Sequence, residues 1–511
     1  MSCALHLQRG GYDVTLMEAG PTVGGRHAAS NGNAGTFAAY ANVPVQRPGL
    51  WREAPGMILN PRGALRLALN PHLLRMIPWG IGALASCAPS QVRHTALALG
   101  TLLRRAEDGY KGAWDHAGVD VDGPMGSYAP TAASAGDAFA SRHGYILLQK
   151  DVRAPGSAAT AALRREGLGE DLRMEALDAS GVLQLEPNLA PEACAGGAWW
   201  FPDGWFLRDP AALLAAMVDG FERNGGEIRC GDGGGSGGGA GGAGGAGGGG
   251  RVTSLTSLQP SVVVGGGGGG GGIGWKSSGW FGERVRVTAT DGTHIDAAVA
   301  VVAAGAHSAP LARSCGDPVP LDTERGYHVQ WTPPQPSSSS SSSSPASAMA
   351  AAATDGASLS PPPLLTRPVC TPEGGFIVAP MSGGMRAAGL VELGGVAAPP
   401  VPSRFDQLEG HAKDLLTAEA AAALGSRVAE NDWLGFRPTL PDALPVIGPS
   451  SRVPGVLYAF GHQHVGWTLG GVTGEVIADL ALGKVPAVDL EPFSARRFAE
   501  KAWWRPFASS S

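Results

Sequence analysis

Cysteine is scarce: six residues in 511, scattered and without a C-x-x-C pair. That excludes a disulfide-stapled scaffold and reads most simply as a reduced, intracellular protein. Charge is low too, at 16% of residues, and the formal net charge of −6 excludes a general affinity for nucleic acid. Long apolar runs are missing. The nearest, Leu67 to Ala85, is interrupted by Asn70, Pro71, His72, Arg75 and Pro78, so no transmembrane helix is expected. No targeting peptide is visible, though a start inside a longer frame would hide one. Outside the glycine tracts there is no G-x-S-x-G elbow, and there is no H-E-x-x-H or Walker lysine motif.

A further absence is more telling. Residues 1–20, MSCALHLQRGGYDVTLMEAG, match the back half of a dinucleotide-binding βαβ unit without its front half. Such a unit runs from a strand through G-x-G-x-x-G into a helix, then to a second strand ending in an acidic residue. Ala4, Leu7 and Gly11 are spaced as the inner face and stop of that helix, and Val14, Leu16 and Glu18 as the strand. The last glycine of the fingerprint would fall one position before Met1. The ribose-binding half of a nucleotide site is therefore expected, without its phosphate-binding turn, and the recorded start reads as internal to a longer frame.

Three tracts are expected to stay outside any core: 231–250, nearly all Gly; 265–272, all Gly; and 337–344, all Ser, continuing Ala- and Pro-rich to about 363. The Glu227–Cys230 and Arg284–Ala289 segments read as strands of one meander, and Val329–Trp331 and Phe376–Val378 as strands flanking the Ser insert. Pro210–Asn224 reads as an amphipathic helix started by Asp209. Leu102–Asp115, Phe405–Leu424 and Gly474–Leu482 read as further helices. Ala297–Ala304 is an apolar run suited to a buried parallel strand, ending at Gly305.

Chemistry concentrates in a few motifs. Glu18 is placed to hydrogen-bond a ribose hydroxyl, or is an exposed carboxylate after any strand. Ser30–Gly35, SNGNAG, suits a backbone wrapped around a ligand, or a plain turn. WLGFRPTLPDALPVIGP holds Arg437 in a stiff apolar frame suited to two-pronged capture of a carboxylate; a salt bridge to Asp442 is the bland alternative. Gly461–Leu480 is a glycine-rich turn opening a helix, whose positive end suits an electron-rich cofactor edge. His462 and His464 lack the further ligands a metal would need, so no metal is expected. Tyr327 and His328 sit on a probable strand and alternate faces, so at most one points into a site.

Together these motifs resemble the FAD-dependent D-amino-acid oxidase superfamily, and within it the bacterial-type D-amino-acid dehydrogenases. The pieces are Ala4-x-x-Leu7-x-x-x-Gly11-x-x-Val14-x-x-x-Glu18, Ser30-x-x-Asn33-x-Gly35, VVAAGAHS, ERGYHV, GFRPTLPDALPVIG and GHQHVGWT, with a Pro-containing helical segment at Ile58 to Pro89. The resemblance implies an α/β fold: a Rossmann-like FAD-binding domain with a truncated first βαβ unit, interleaved with an α+β substrate domain. The FAD domain would comprise 1–56, 160–316 and 432–490, the substrate domain 57–159 and 317–431, and 491–511 a tail. It implies FAD contacts from Glu18, Ser30, Asn33, Gly35, Gly305, Gly461, His462, Gly466, Trp467 and Thr468. Arg437 would hold the substrate carboxylate, with Tyr327 and His328 as further candidates. Relatives with covalent FAD use a histidine where this chain has Gly32, and His27 is out of register, so FAD is expected to be non-covalent. The implied activity is oxidative deamination of a D-amino acid by hydride transfer from Cα, with oxygen or a quinone as electron acceptor and peripheral membrane contact allowed. The alternatives are a secondary-amine oxidase of N-methyl amino acids and a flavin-free scaffold.

Overall fold

A computed structural model describes residues 1–131, 134–231, 252–258, 284–332, 364–372 and 374–499. The Gly tracts after residue 231, the Ser tract and residues 500–511 lie outside these. Helix α1 (Ser2–Arg9) buries Ala4, Leu5 and Leu7 and gives way to a turn at Gly11, where φ is 89°, a value glycine adopts without strain. Strands β1 (Thr15–Glu18) and β2 (Thr36–Phe37) follow. Helix α2 (Ile77–Ala85) tucks Pro78 and Gly82 inward and leaves an apolar stripe outside: with Leu74 just before it, Ile77, Ile81 and Leu84 are 70, 53, 44 and 55% exposed. Among the described residues no helix is long and apolar enough to cross a membrane.

Leu102–Asp115, expected as one helix, is broken at Arg104–Arg105 between a helix ending at Leu103 and α3 (Ala106–Ala117). Helix α4 (Pro210–Arg223) starts as anticipated: the Asp209 carboxylate accepts from the Ala211 and Ala212 amides at 2.9 and 3.0 Å. It delivers β3 (Glu227–Cys230), which pairs parallel with β1 and brings Cys230 opposite Glu18. The expected meander therefore divides. A strand delivered by a long helix arrives parallel to its partner, whereas Arg284–Ala289 pairs antiparallel with Val252–Leu258 and His294–Ala297 in a separate sheet.

The expected buried parallel strand is β4 (Ala300–Val302). Strands β5 (Asp322–Trp331), β6 (Phe376–Met381) and β7 (Gly384–Leu393) belong to a nine-stranded sheet. β5 and β6, the strands flanking the Ser insert, are not neighbours: β7 returns from β6 through a tight turn and lies between them. Helix α5 (Pro402–Asp414) packs on one face of this sheet, and the helix expected to continue to Leu424 breaks after Asp414 and resumes at Ala418. β8 (Trp433–Thr439) pairs with the other edge of β5. β9 (Val446–Pro449) and β10 (Val456–Phe460) complete the sheet of β4, parallel between β4 and β10. Helix α6 (Gly466–Ala481) begins eight residues before the expected Gly474. Gly474 is a packing residue there: a Cβ on it would lie 2.8 Å from the Ser2 backbone of α1.

Leu469, Val472, Val476 and Ile477 of α6 share a core with Leu7, Ile447 and Leu457. A second core fills the space between the large sheet and α5. Residues 491–499 pack instead of trailing, with Phe493 and Phe498 fully buried.

Candidate active site

In the antiparallel pair β5–β8, Glu324 lies opposite Arg437, Gly326 opposite Gly435 and His328 opposite Trp433. Opposed residues share a face, and the two-residue period puts all six on the same one. The two facing glycines add no side chain of their own, and their neighbours' side chains fill the space above them. A Cβ on Gly326 would lie 2.3 Å from Nη2 of Arg437, and one on Gly435 would lie 1.8 Å from the Trp433 ring. The guanidinium thus leans over Gly326 from one end and the indole over Gly435 from the other.

Arg437 is held by backbone oxygens. Its Nη1 donates to Leu390 O at 2.9 Å and its Nη2 to Gly389 O at 3.5 Å. Leu390 is fully buried in a left-handed conformation, φ 58°, where the β5–β7 register shifts. A branched residue in that region stores strain that the surroundings must enforce, a pattern that clusters at functional sites. Burial pushes the Arg437 pKa down and Glu324 pulls it up. Asp442, the bland partner, is taken: it accepts from Arg497 Nε at 2.8 Å. Nearby His464 is exposed by area, yet surrounding protein and Arg437 push its pKa to about 4.

His328 and Tyr327 alternate as expected, and His328 is on the site face. There it braces the 26–35 segment. Its Nδ1 is 2.9 Å from Gly32 O, its Nε2 is 2.8 Å from Asn431 O, and the ring stacks on Trp433. Burial and Arg386 push its pKa to about 3, against the pull of the two carbonyls. A neutral ring donates to only one of them. Tyr327 faces the α5 core. Its hydroxyl donates to Glu392 at 2.9 Å, its ring meets Phe405 edge-on, and burial raises its pKa to about 12. Glu392 is fully buried with Arg325 at 3.1 Å, a strut between strands and not a reactive group.

The 26–38 segment wraps the site edge. Trp433 Nε1 donates to Arg26 O at 2.7 Å. Gly32 has no room for a side chain: a Cβ would sit 2.1 Å from the Trp433 ring. Asn33 folds the loop on itself, donating to Ser30 O and accepting from the Gly35 amide, while its carbonyl accepts from Arg386 at 2.8 Å. Gly35, φ 71°, abuts Leu207. The Ala38 amide donates to Thr468 Oγ1 at 2.9 Å, which joins this segment to the start of α6. Trp467 accepts from the Tyr110 hydroxyl through its carbonyl, Gly466 is the first residue of α6, and Gly461 and His462 form the turn before it. Glu18 stands apart at the end of β1, accepting from the Gly20 amide at 2.9 Å and facing His27 Nε2 at 3.0 Å. Gly305, φ 54°, opens the turn after β4 with open space where a Cβ would be.

Two features fit a large planar group with polar edges at α6. This helix of 16 residues has no side chain capping its N-terminus, which leaves its positive dipole end without a polar side-chain partner and suited to a ligand. Gln463 beside it is 8% exposed, its φ is 50°, and its buried Nε2 has no hydrogen-bond partner among the described residues. An orphaned buried donor costs about 1–3 kcal/mol, which a ligand acceptor would offset. His462 adds a pH dependence. Burial sets its pKa at about 4, and its Nε2 bonds Thr473 at 3.0 Å. Because this pKa lies below the unfolded value of ~6.5, its contribution is present above that pH and lost as pH falls toward 4, by up to ~1.4 kcal/mol per unit. Urea melts at pH 7 and pH 5 should show a smaller acid loss for His462→Asn than for the unsubstituted protein.

Sequence reading missed Glu324, Gly326, Trp433, Gly435, Arg386 and Gln463. The alternation 324-326-328 against 433-435-437 was there to be read once the two segments were known to pair.

The profile of the family described as FAD dependent oxidoreductase (DAO) matches residues 1–480. A D-amino-acid oxidase of Bradyrhizobium diazoefficiens is 29% identical over 97% of this chain and 95% of its own. D-amino acid dehydrogenase 2 of Ralstonia nicotianae is 27% identical over 97% of each. In fold, the chain is similar to glycine oxidase from Geobacillus kaustophilus (TM-score 0.57, 19% identity, 97% and 94% covered) and to L-proline dehydrogenase from P. horikoshii (0.59, 13%, 98% and 94%). With a family profile spanning nearly its whole length and a fold to match, the chain belongs to the DAO family of FAD-dependent oxidoreductases.

Proposed function

We propose that this protein oxidatively deaminates a D-amino acid, with its carboxylate bound by Arg437. The observation that carries this reading is the half-buried guanidinium, fixed by the Leu390 carbonyl and seated over Gly326, which has no side chain to displace it. A planar cation on a rigid mount binds a carboxylate in one orientation. The cofactor would be held non-covalently by the α6 N-terminus, Gln463, the 30–38 segment and, at its nucleotide end, Glu18 and Gly305. Gly32, roofed by Trp433, offers no attachment atom, and His27 is engaged with Glu18. Bound FAD supplies the acceptor for a hydride from Cα. The chain's own contribution is orientation, worth up to ~7–11 kcal/mol at the well-aligned extreme. On this reading His328 is a positioning residue and Tyr327 has no part in the chemistry. The exposed stripe Leu74, Ile77, Ile81 and Leu84, with Arg66 and Arg75 nearby, supports peripheral contact with a membrane surface.

The test is dye-coupled oxidation by the flavin-loaded protein across D-, L- and N-methyl amino acids. Turnover of D-amino acids with release of ammonia is expected. Turnover confined to N-methyl substrates would replace the reading with secondary-amine oxidation, and none at all would leave a scaffold.

A further inference from the structure

Glu324 lies directly opposite Arg437, on the same sheet face, yet the two charges do not close on one another. The guanidinium turns along the strand to sit over Gly326 and donate to Leu390 and Gly389 carbonyls. The Glu324 carboxyl receives a single long hydrogen bond, from Thr439 Oγ1 at 3.3 Å. An α-amino acid can meet both charges at once: its carboxylate and amino group sit on one carbon, and each makes a hydrogen bond of about 2.8 Å with a charged partner. A surface ion pair would have no reason to stay open. Two opposite charges on one sheet face that do not close into an ion pair complement a zwitterion.

The geometry points to Glu324 as the acceptor of the substrate's ammonium group. This rests on the D-amino-acid reading above. With the α-carboxylate on Arg437, the ammonium meets Glu324. One N–H bond breaks, an O–H bond forms on the Glu324 carboxyl, and the substrate is left with a neutral amine, the form able to give up a hydride from Cα. Burial helps in the same direction: it raises the Glu324 pKa, while Arg437 and Thr439 lower it. The other charged or titratable groups around the pair are His464, which faces Arg437, and the Asp322–His72 pair (3.0 Å) farther along the same face.

The test compares Glu324→Gln with the unsubstituted flavin-loaded protein using D-alanine and propionate, which has the carboxylate but no amine. For the variant, kcat/KM for D-alanine should fall about a hundredfold at pH 7. It should then recover nearly tenfold per pH unit as free D-alanine loses its own ammonium proton. Propionate, titrated by calorimetry, should bind equally well or more tightly, because a negative charge has been removed beside it. Glu324→Asp should restore part of the activity. If propionate weakens as much as D-alanine does, Glu324 only positions Arg437, and the assignment fails. If neither ligand changes, the group is a bystander and the assignment fails too. A failure of the underlying reading looks different: the unsubstituted protein would then neither turn over D-alanine nor bind propionate.

Discussion

Arg437→Lys should lower kcat/KM for D-amino acids by roughly ten- to hundredfold while flavin content stays constant. The size follows from losing one charge-assisted hydrogen bond, ~1.5–3 kcal/mol. Arg437 already gives Nη1 to Leu390 O and Nη2 toward Gly389 O, and the rest of its planar fork remains for a ligand. Lysine keeps the charge but has one nitrogen, which cannot hold the bulge carbonyl and present two parallel donors to a carboxylate. The substrate would pivot, and the angle between Cα–H and the hydride acceptor would be lost. Amine substrates without a carboxylate should be spared. Flavin content by absorbance and steady-state kinetics on both substrate classes decide the matter. Loss of flavin or of fold would make Arg437 a structural residue, and unchanged D-amino-acid turnover would move the carboxylate site elsewhere.

Gly326→Ala should lower kcat/KM by about a hundredfold, the cost of an ångström-scale misplacement, with a smaller loss of melting temperature than Gly435→Ala. Gly326 does not have a positive φ, so alanine fits its backbone, and the replacement reduces unfolded-chain entropy by a few tenths to ~1 kcal/mol. What the new methyl meets is the Arg437 guanidinium, 2.3 Å from Nη2, the far end of a flexible side chain. That end must swing away, giving up its bonds to the Leu390 and Gly389 carbonyls, and it takes the carboxylate donors with it. Gly435→Ala is the contrast. Its methyl would meet the Trp433 ring at 1.8 Å, and that ring is tied to Arg26 O and stacked on His328. A rigid, bonded ring cannot move alone, so this variant should lose melting temperature as well as activity. Equal thermal loss in both variants would show that the Gly326 floor is packed by more than the arginine.

The elements themselves were legible from local signals. Asp209 before Pro210 read correctly as a helix start, the middle of Ala297–Ala304 as a parallel strand (Ala300–Val302), and Val14–Glu18 as a strand ending in a carboxylate. So were the family and its cofactor, through contiguous motifs at Arg437 and at the start of α6. Boundaries failed where glycine lowers local helix preference while tertiary contact restores it. Gly466, Gly470 and Gly471 hid the first turns of α6, which holds because its small residues let α1 and α3 approach.

The composition of the site was a different matter. Strand alternation separates Tyr327 from His328 but does not say which face α5 covers, because α5 lies about 75 residues away in the chain. Only packing sent Tyr327 to Glu392 and left His328, Gly326 and Glu324 on the open side. Likewise Asp442 is five residues from Arg437, yet Arg497 reaches it from the far end of the described chain. A sequence determines periods, caps and motifs because these depend on neighbours within a turn or two. Which charges meet, and which stay apart for a ligand, depends on pairings between distant segments, and those exist only once the sheet has formed.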